Sequence, residues 1–146
     1  MAESLIEEAN AWAFDRTDLP GNLMLNEGIN EAWLILTATG SPTTFSNANA
    51  RLGVGDSNAA ENATQTDLQA ASNKTYKAMD GGFPTTGTQA ANWKSTFQSA
   101  DANYAWNEFT VDSGASALKN LNRKVSAQGT KASGQTWALT LTITIS

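Results

Sequence analysis

The stretch Trp137-Ala-Leu-Thr-Leu-Thr-Ile-Thr-Ile145 alternates without a break. Trp137, Leu139, Leu141, Ile143 and Ile145 fall on one side, and Ala138, Thr140, Thr142 and Thr144 on the other. Only a β-strand has a side-chain period of two, so this run predicts one apolar buried face and one threonine face. It is β-branched, uncharged and free of proline, which makes an open edge hazardous. Two placements answer that hazard: the middle of a sheet, or pairing with a strand of another chain.

The same β pattern extends back to Thr43, in short apolar runs separated by Gly, Asn, Asp and Ser clusters. Leu52-Gly-Val54 reads as a strand ending in Gly55-Asp56-Ser57-Asn58. The Thr75–Met79 run leads into a turn at Asp80-Gly81-Gly82. Trp93, Ser95 and Phe97 alternate, and Ala100–Asn103 turns the chain. Tyr104, Trp106 and Glu108 share one phase, whereas Phe109 and Val111 share the other, which predicts a bulge near Asn107.

Upstream of Thr43 the period changes. Leu25, Ile29, Ala32, Trp33 and Leu36 form a helical stripe, with Asn22 as the expected N-cap and Gly40-Ser41-Pro42 as the stop. Gly28 weakens that helix by ~1 kcal/mol. Leu5, Ile6, Ala9, Trp12 and Ala13 also show helix-like spacing, with Ser4 and Glu7 as a capping box, until Leu19-Pro20-Gly21-Asn22 breaks it. The expected organisation is an N-terminal arm over residues 1–20 and one mainly β domain over residues 21–146, with a single N-terminal helix.

The 146 residues fit one core. They include no Cys and no His, which excludes disulfides, zinc fingers, haem or iron–sulfur ligation, thiol nucleophiles and a Ser-His-Asp triad. Charged residues make up 16%, below the usual ~25%, and are replaced by 24 Ala, 18 Thr, 14 Asn and 12 Ser. The net charge of −5 argues against a nucleic-acid partner. No run approaches the ~20 apolar residues of a membrane span, and Met1–Phe14 lacks the basic start of a signal peptide. Synthesis in the cytoplasm is expected. Between Met1 and Glu31 there are seven acids and one base, Arg16, whereas only Lys119, Arg123, Lys124 and Lys131 carry charge after Asp112. These ends either meet, within or between chains, or form two solvated faces.

Three constellations bear on chemistry. Gly53-Val-Gly55-Asp56-Ser57 begins like a phosphate loop but lacks a third glycine and a lysine, so a turn between strands is the simpler reading. Asp56, Glu61, Asp67 and Asp80 lack the alternating spacing of a calcium loop. Glu108, between Trp106 and Phe109, would suit one half of a glycosidase pair. It has no evident partner, and Asp112 is not expected to face the same cleft. A half-buried Glu108 satisfying neighbouring amides fits better. No catalytic residue, cofactor or metal is expected. Exposed tryptophans would bind sugar, but Trp33 and Trp137 lie on apolar stripes and Trp93 and Trp106 share phase with apolar neighbours. Trp12 alone has no core assignment.

Several stretches together resemble a family of small virion proteins of tailed bacteriophages: Leu25-Asn-Glu-Gly-Ile29, Phe45-Ser-Asn-Ala-Asn-Ala-Arg-Leu-Gly-Val-Gly-Asp-Ser57, Ala63-Thr-Gln-Thr-Asp-Leu68, Tyr76-Lys-Ala-Met-Asp80 with Phe83-Pro-Thr85, Ala105-Trp-Asn-Glu-Phe109, and Leu121-Asn-Arg-Lys-Val125 with Gly129-Thr-Lys131. The resemblance spans roughly Leu23 to Ser146 and is strongest to capsid decoration, or cement, proteins. It implies a β-sandwich or tulip-like (jelly-roll-like) domain that clusters, usually as a homotrimer, on the head surface. It also implies the major capsid protein as partner and a non-enzymatic role. Leu5, Ile6, Trp12 and Phe14 are the expected capsid contacts of the arm. A tail or fibre component binding glycan or receptor, and a head–tail joining protein, are the alternatives.

Overall fold

The computed structural model describes residues 22–116 and 118–145. Within them the chain forms β1 (Asn22–Met24), α1 (Asn26–Thr37), β2 (Arg51–Gly55), β3 (Lys74–Ala78), β4 (Thr85–Gly87), β5 (Ala90–Phe97), β6 (Glu108–Asp112), β7 (Asn122–Val125) and β8 (Trp137–Thr144). The strands make two antiparallel sheets, β1-β7-β6-β2-β3 and β4-β5-β8, which pack as a β-sandwich with one short helix. The arm, with Leu5, Ile6, Trp12 and Phe14, lies outside the described residues.

The core lies between the sheets, and alternation builds it. Leu52 and Val54 come from β2, Trp93 and Phe97 from β5, Phe109 and Val111 from β6, and Leu141 and Ile143 from β8. Trp106 and Phe109 both enter this core although they are three residues apart, so the phase change read near Asn107 is present. β8 keeps its threonines exposed and its apolar residues inward, as its period requires.

Several local expectations need correction. β8 is not central: it pairs with β5 alone and forms the edge of the three-stranded sheet. Asn22 is not a helix cap, because Asn22–Met24 are drawn into a strand beside β7. The helix begins after Leu25, with no side-chain cap, and its first amide, Asn26 N, donates to Ala63 O at 2.8 Å. The strand read at Leu52–Val54 is present and runs on through Gly55, so the Gly53–Gly55 stretch is not a turn but lies inside β2. A β-carbon at Gly53 would stand 2.6 Å from the Tyr76 ring, and one at Gly55 would stand 2.3 Å from Glu108 Oε1. Both glycines make room for a neighbouring side chain on the outer face of the larger sheet.

Trp33 and Leu36 are not core residues either. Following the buried Leu25, the helix buries Gly28 and Glu31 and leaves Trp33 59% and Leu36 75% exposed. The reason is a backbone-to-backbone approach. A β-carbon at Gly28 would meet Leu121 Cα at 2.5 Å, so the helix docks on its glycine face rather than on its bulky stripe.

Candidate interaction surface

Two acidic side chains on β6 are the nearest approach to chemistry in the sequence, and each is paired with an arginine. Glu108 is fully buried and accepts hydrogen bonds from Gln69 N (2.8 Å), Ala70 N (2.7 Å) and Arg123 Nε (2.7 Å). Arg123 is equally buried; its Nη1 donates to Ala59 O at 2.9 Å, and Nη2 adds a charge contact to Glu108 at 2.7 Å. The reading of Glu108 as an acceptor for neighbouring amides is therefore correct, with burial complete rather than half. Asp112 does lie on the same face of β6 as Glu108, because residues four apart in a strand point the same way. They stand ~13 Å apart along the strand, however, and Asp112 is taken by Arg51 and Gly114 N.

This buried pair does mechanical work on residues 56–73, a long connection between β2 and β3. Glu108 and Arg123 hold its backbone at Ala59, Gln69 and Ala70, while Glu61 Oε1 accepts from Val125 N at 2.7 Å. Asp56, Asp67 and Asp80 are likewise dispersed. Asp56 accepts from Asn73 Nδ2, Asp80 accepts from Thr96 N and Oγ1, and Asp67 accepts from Lys74 and Tyr76. Among the described residues no cluster of carboxylates is placed to hold a metal.

Burial would raise the Asp67 carboxyl, but hydrogen bonds from Lys74 and Tyr76 outweigh it and hold the group below its ordinary value. Burial first, and then the Asp67 carboxylate, push the Tyr76 phenol well above its ordinary value. Tyr104 is also raised by burial, partly offset by its bond to Thr75. The chain has two tyrosines, so both are held neutral in the fold. A phenol raised in the folded state supplies stability that is complete below its unfolded value of about 10 and lost as pH rises above it. In a spectrophotometric titration, both phenols are expected to ionise at higher pH than free tyrosine, Tyr76 together with loss of near-ultraviolet circular dichroism. A smooth titration at pH 10 in folded protein would contradict this placement.

The surface that stands out is apolar. Trp33, Leu34 and Leu36 project from α1, and Ile145, 55% exposed, follows the end of β8. Beside them a groove of about 390 Å³ is lined by Met24, Ala32, Phe45, Leu121, Ile143 and Ile145. Ala32 and Leu36 are one helical turn apart, so the groove continues onto the exposed helix face. Isolated exposed hydrophobics are ordinary, but a tryptophan and two leucines on one helix, next to an apolar groove, mark a contact surface. Sequence reasoning missed this face by assigning Trp33 and Leu36 to the core. The available signal was Gly28, which lets the helix dock on another face.

Of the tryptophans, Trp93 and Trp106 are buried, and Trp137 packs edge-on against Trp106 at 5.1 Å. Among the described residues Trp33 is the exposed one. In comparisons with protein-family models, curated proteins and solved structures, nothing matches the chain. No helix among the described residues is long and apolar enough to cross a membrane.

Proposed function

We propose that this protein is a non-enzymatic decoration protein of a tailed-phage head, which binds the outer surface of the capsid as a homotrimer and stabilises the lattice. The observation that carries the reading is the apolar face of α1, where Trp33 and Leu36 are left in solvent beside the Met24–Ile145 groove. A large aromatic and a leucine on a rigid helix are the side chains that dominate protein contacts once buried by a partner. The resemblance of the sequence to virion proteins supplies the kind of partner, the major capsid protein. Of the two β6 carboxylates, Glu108 is held in a buried pair with Arg123 and Asp112 in a part-buried pair with Arg51.

The mechanism is mass action. A protein that binds the assembled lattice and not the free subunits stabilises the lattice by RT ln(1 + [L]/Kd) per site, and a trimer compounds the effect through linked contacts. Neither step needs a cofactor, metal or nucleic acid.

The test is occupancy on expanded heads stripped of this protein. Trp33→Ser together with Leu36→Ser is expected to weaken head binding by roughly 30-fold or more, the loss of about 2 kcal/mol of hot-spot contact, with thermal stability unchanged because both side chains are solvent-exposed. Wild-type occupancy by the double variant would remove the helix face from the interface. Failure of the unaltered protein to bind heads, with binding to a glycan array instead, would replace the reading with that of a fibre module.

A further inference from the structure

Among the described residues Lys131 is the one lysine that is wholly buried. Its surroundings are set by an extended segment that runs antiparallel to Tyr104–Trp106. Gln128 N donates to Trp106 O and Trp106 N to Gly129 O, both at 2.8 Å, and Lys131 N donates to Tyr104 O at 3.1 Å. A bridge between Ala105 and Thr130 lies within that pairing. Lys131 therefore stands across from Tyr104, one residue along from Asn103. Its Nζ donates to Asn103 Oδ1 at 2.7 Å and to Gln98 O at 2.8 Å.

Both acceptors are neutral. Arg51, Lys74, Lys77 and Arg123 each pair with a carboxylate, but among the described residues Lys131 forms no such pair. Lysine is almost never fully buried without a counter-charge, because its ammonium loses hydration there. The Asn103 amide is fixed at both ends: Oδ1 accepts from Lys131, and Nδ2 donates to Ser99 O at 3.0 Å. The amine thus lies on the carbonyl end. One C=O bond of ~1.2 Å separates Oδ1 from Cγ, so Nζ is within ~4 Å of the amide carbon. A small turn of the Asn103 amide brings the two atoms to the ~3–3.5 Å of a reacting pair. Gln98 links this pair to a carboxylate, since its O holds Lys131 while its N donates to Asp101 Oδ2 at 2.8 Å. Hydrogen bonds from Lys77 and Gln98 N hold the Asp101 carboxyl below its ordinary value, and the charge of Lys131 adds to their effect.

We propose that Lys131 and Asn103 form an intramolecular isopeptide bond, made by the folded chain itself. Lys131 Nζ gives one proton to solvent, and its lone pair forms the Nζ–Cγ bond to Asn103. A second proton passes from Nζ, by way of Asp101 and water, to Nδ2, which leaves as ammonia when the Cγ–Nδ2 bond breaks. One amine and one primary amide become one secondary amide and one ammonia, so the step balances without an oxidant or a co-reactant. Asn103 is exposed, which gives water a way in and ammonia a way out. Two effects drive the reaction forward: the buried charge becomes a neutral amide, and the ammonia is lost to solvent. The product is a covalent ring that contains β6 and β7, in a chain with no cysteine to make a disulfide.

Intact-mass spectrometry of the full-length protein, folded for a day at neutral pH and then denatured, tests this without any capsid. The unaltered protein is expected to be about 17 Da lighter than its sequence, the mass of one ammonia. Trypsin should then leave Lys131 uncut and release a branched peptide that joins the segment containing Lys131 to the segment containing Asn103. Lys131→Arg keeps a charge and its N–H donors but supplies no nucleophile, and Asn103→Ala removes the reacting carbonyl. Both variants are expected at full mass. Full mass in the unaltered protein, with Lys131 cut by trypsin, overturns the proposal whether or not the variants fold. A loss of ammonia that persists in either variant overturns it too, because another amide is then the source.

Discussion

Arg123→Met is expected to destabilise the domain by about 3–5 kcal/mol, because it strands the Glu108 carboxylate in a site with no access to water. Glu108 would keep Gln69 N and Ala70 N as donors but lose its only counter-charge. Arg123 also binds Ala59 O and lies 3.2 Å from Gln65 Oε1, so its loss frees the Ala59–Gln65 part of the 56–73 connection from the sheet. Total stabilities are commonly 5–15 kcal/mol, so the single variant sits near the limit of folding at 37 °C. Glu108→Gln in the Arg123→Met background should recover part of the loss, since a neutral amide costs less to bury than an unpaired carboxylate. Urea denaturation of the three proteins measures both effects. A shift under 1 kcal/mol for Arg123→Met would mean that the pair is hydrated and does not fasten the connection.

The second large effect falls on Trp106. Its ring stands edge-on to Phe97 at 4.8 Å, to Trp137 at 5.1 Å and to Phe109 at 6.3 Å, and its Nε1 donates to Ala102 O at 3.0 Å. Trp106→Ala removes the largest side chain at the meeting point of both sheets and should cost about 3–5 kcal/mol. Trp106→Phe keeps a ring and loses one hydrogen bond to Ala102 O, which still accepts from Tyr104 N at 2.9 Å, so a smaller cost is expected. Trp137→Ala should cost less than Trp106→Ala, because Trp137 is only half-buried. Equal losses for the two tryptophans would contradict the placement of the core.

The acidic node also explains a pattern that is hard to read in sequence. Glycines at 53 and 55 in a strand lower its propensity, and alone they suggest a turn. Opposite Thr110 and Glu108 in the neighbouring strand they are spaces, one for the Tyr76 ring and one for the Glu108 carboxylate. Nothing local records that need, because both occupants arrive from elsewhere in the chain.

Strands β2, β3, β5, β6 and β8 were legible from residue order, whereas β1, β4 and β7 were not. The period of two in Trp137–Ile145, the alternation of Trp93, Ser95 and Phe97, and the phase change before Phe109 each depend on neighbours in sequence, and each is present in the sandwich. Glu108 as an acceptor for amides followed from its isolation among apolar residues without a second acid. What residue order left open was every choice among surfaces that look alike locally. Whether β8 lies inside a sheet or at its edge depends on how many strands follow it across the core. Whether α1 buries Trp33 or Gly28 depends on the backbone of Leu121, about ninety residues away. Asn22 is equally suited to capping a helix and to pairing with Lys124, and only the presence of β7 decides. Periodicity determines which side chains share a face. The tertiary structure determines which faces are covered, because covering a face requires a partner from a distant part of the chain, and the open edge of β8 and the bare side of α1 are two places where the described residues provide none.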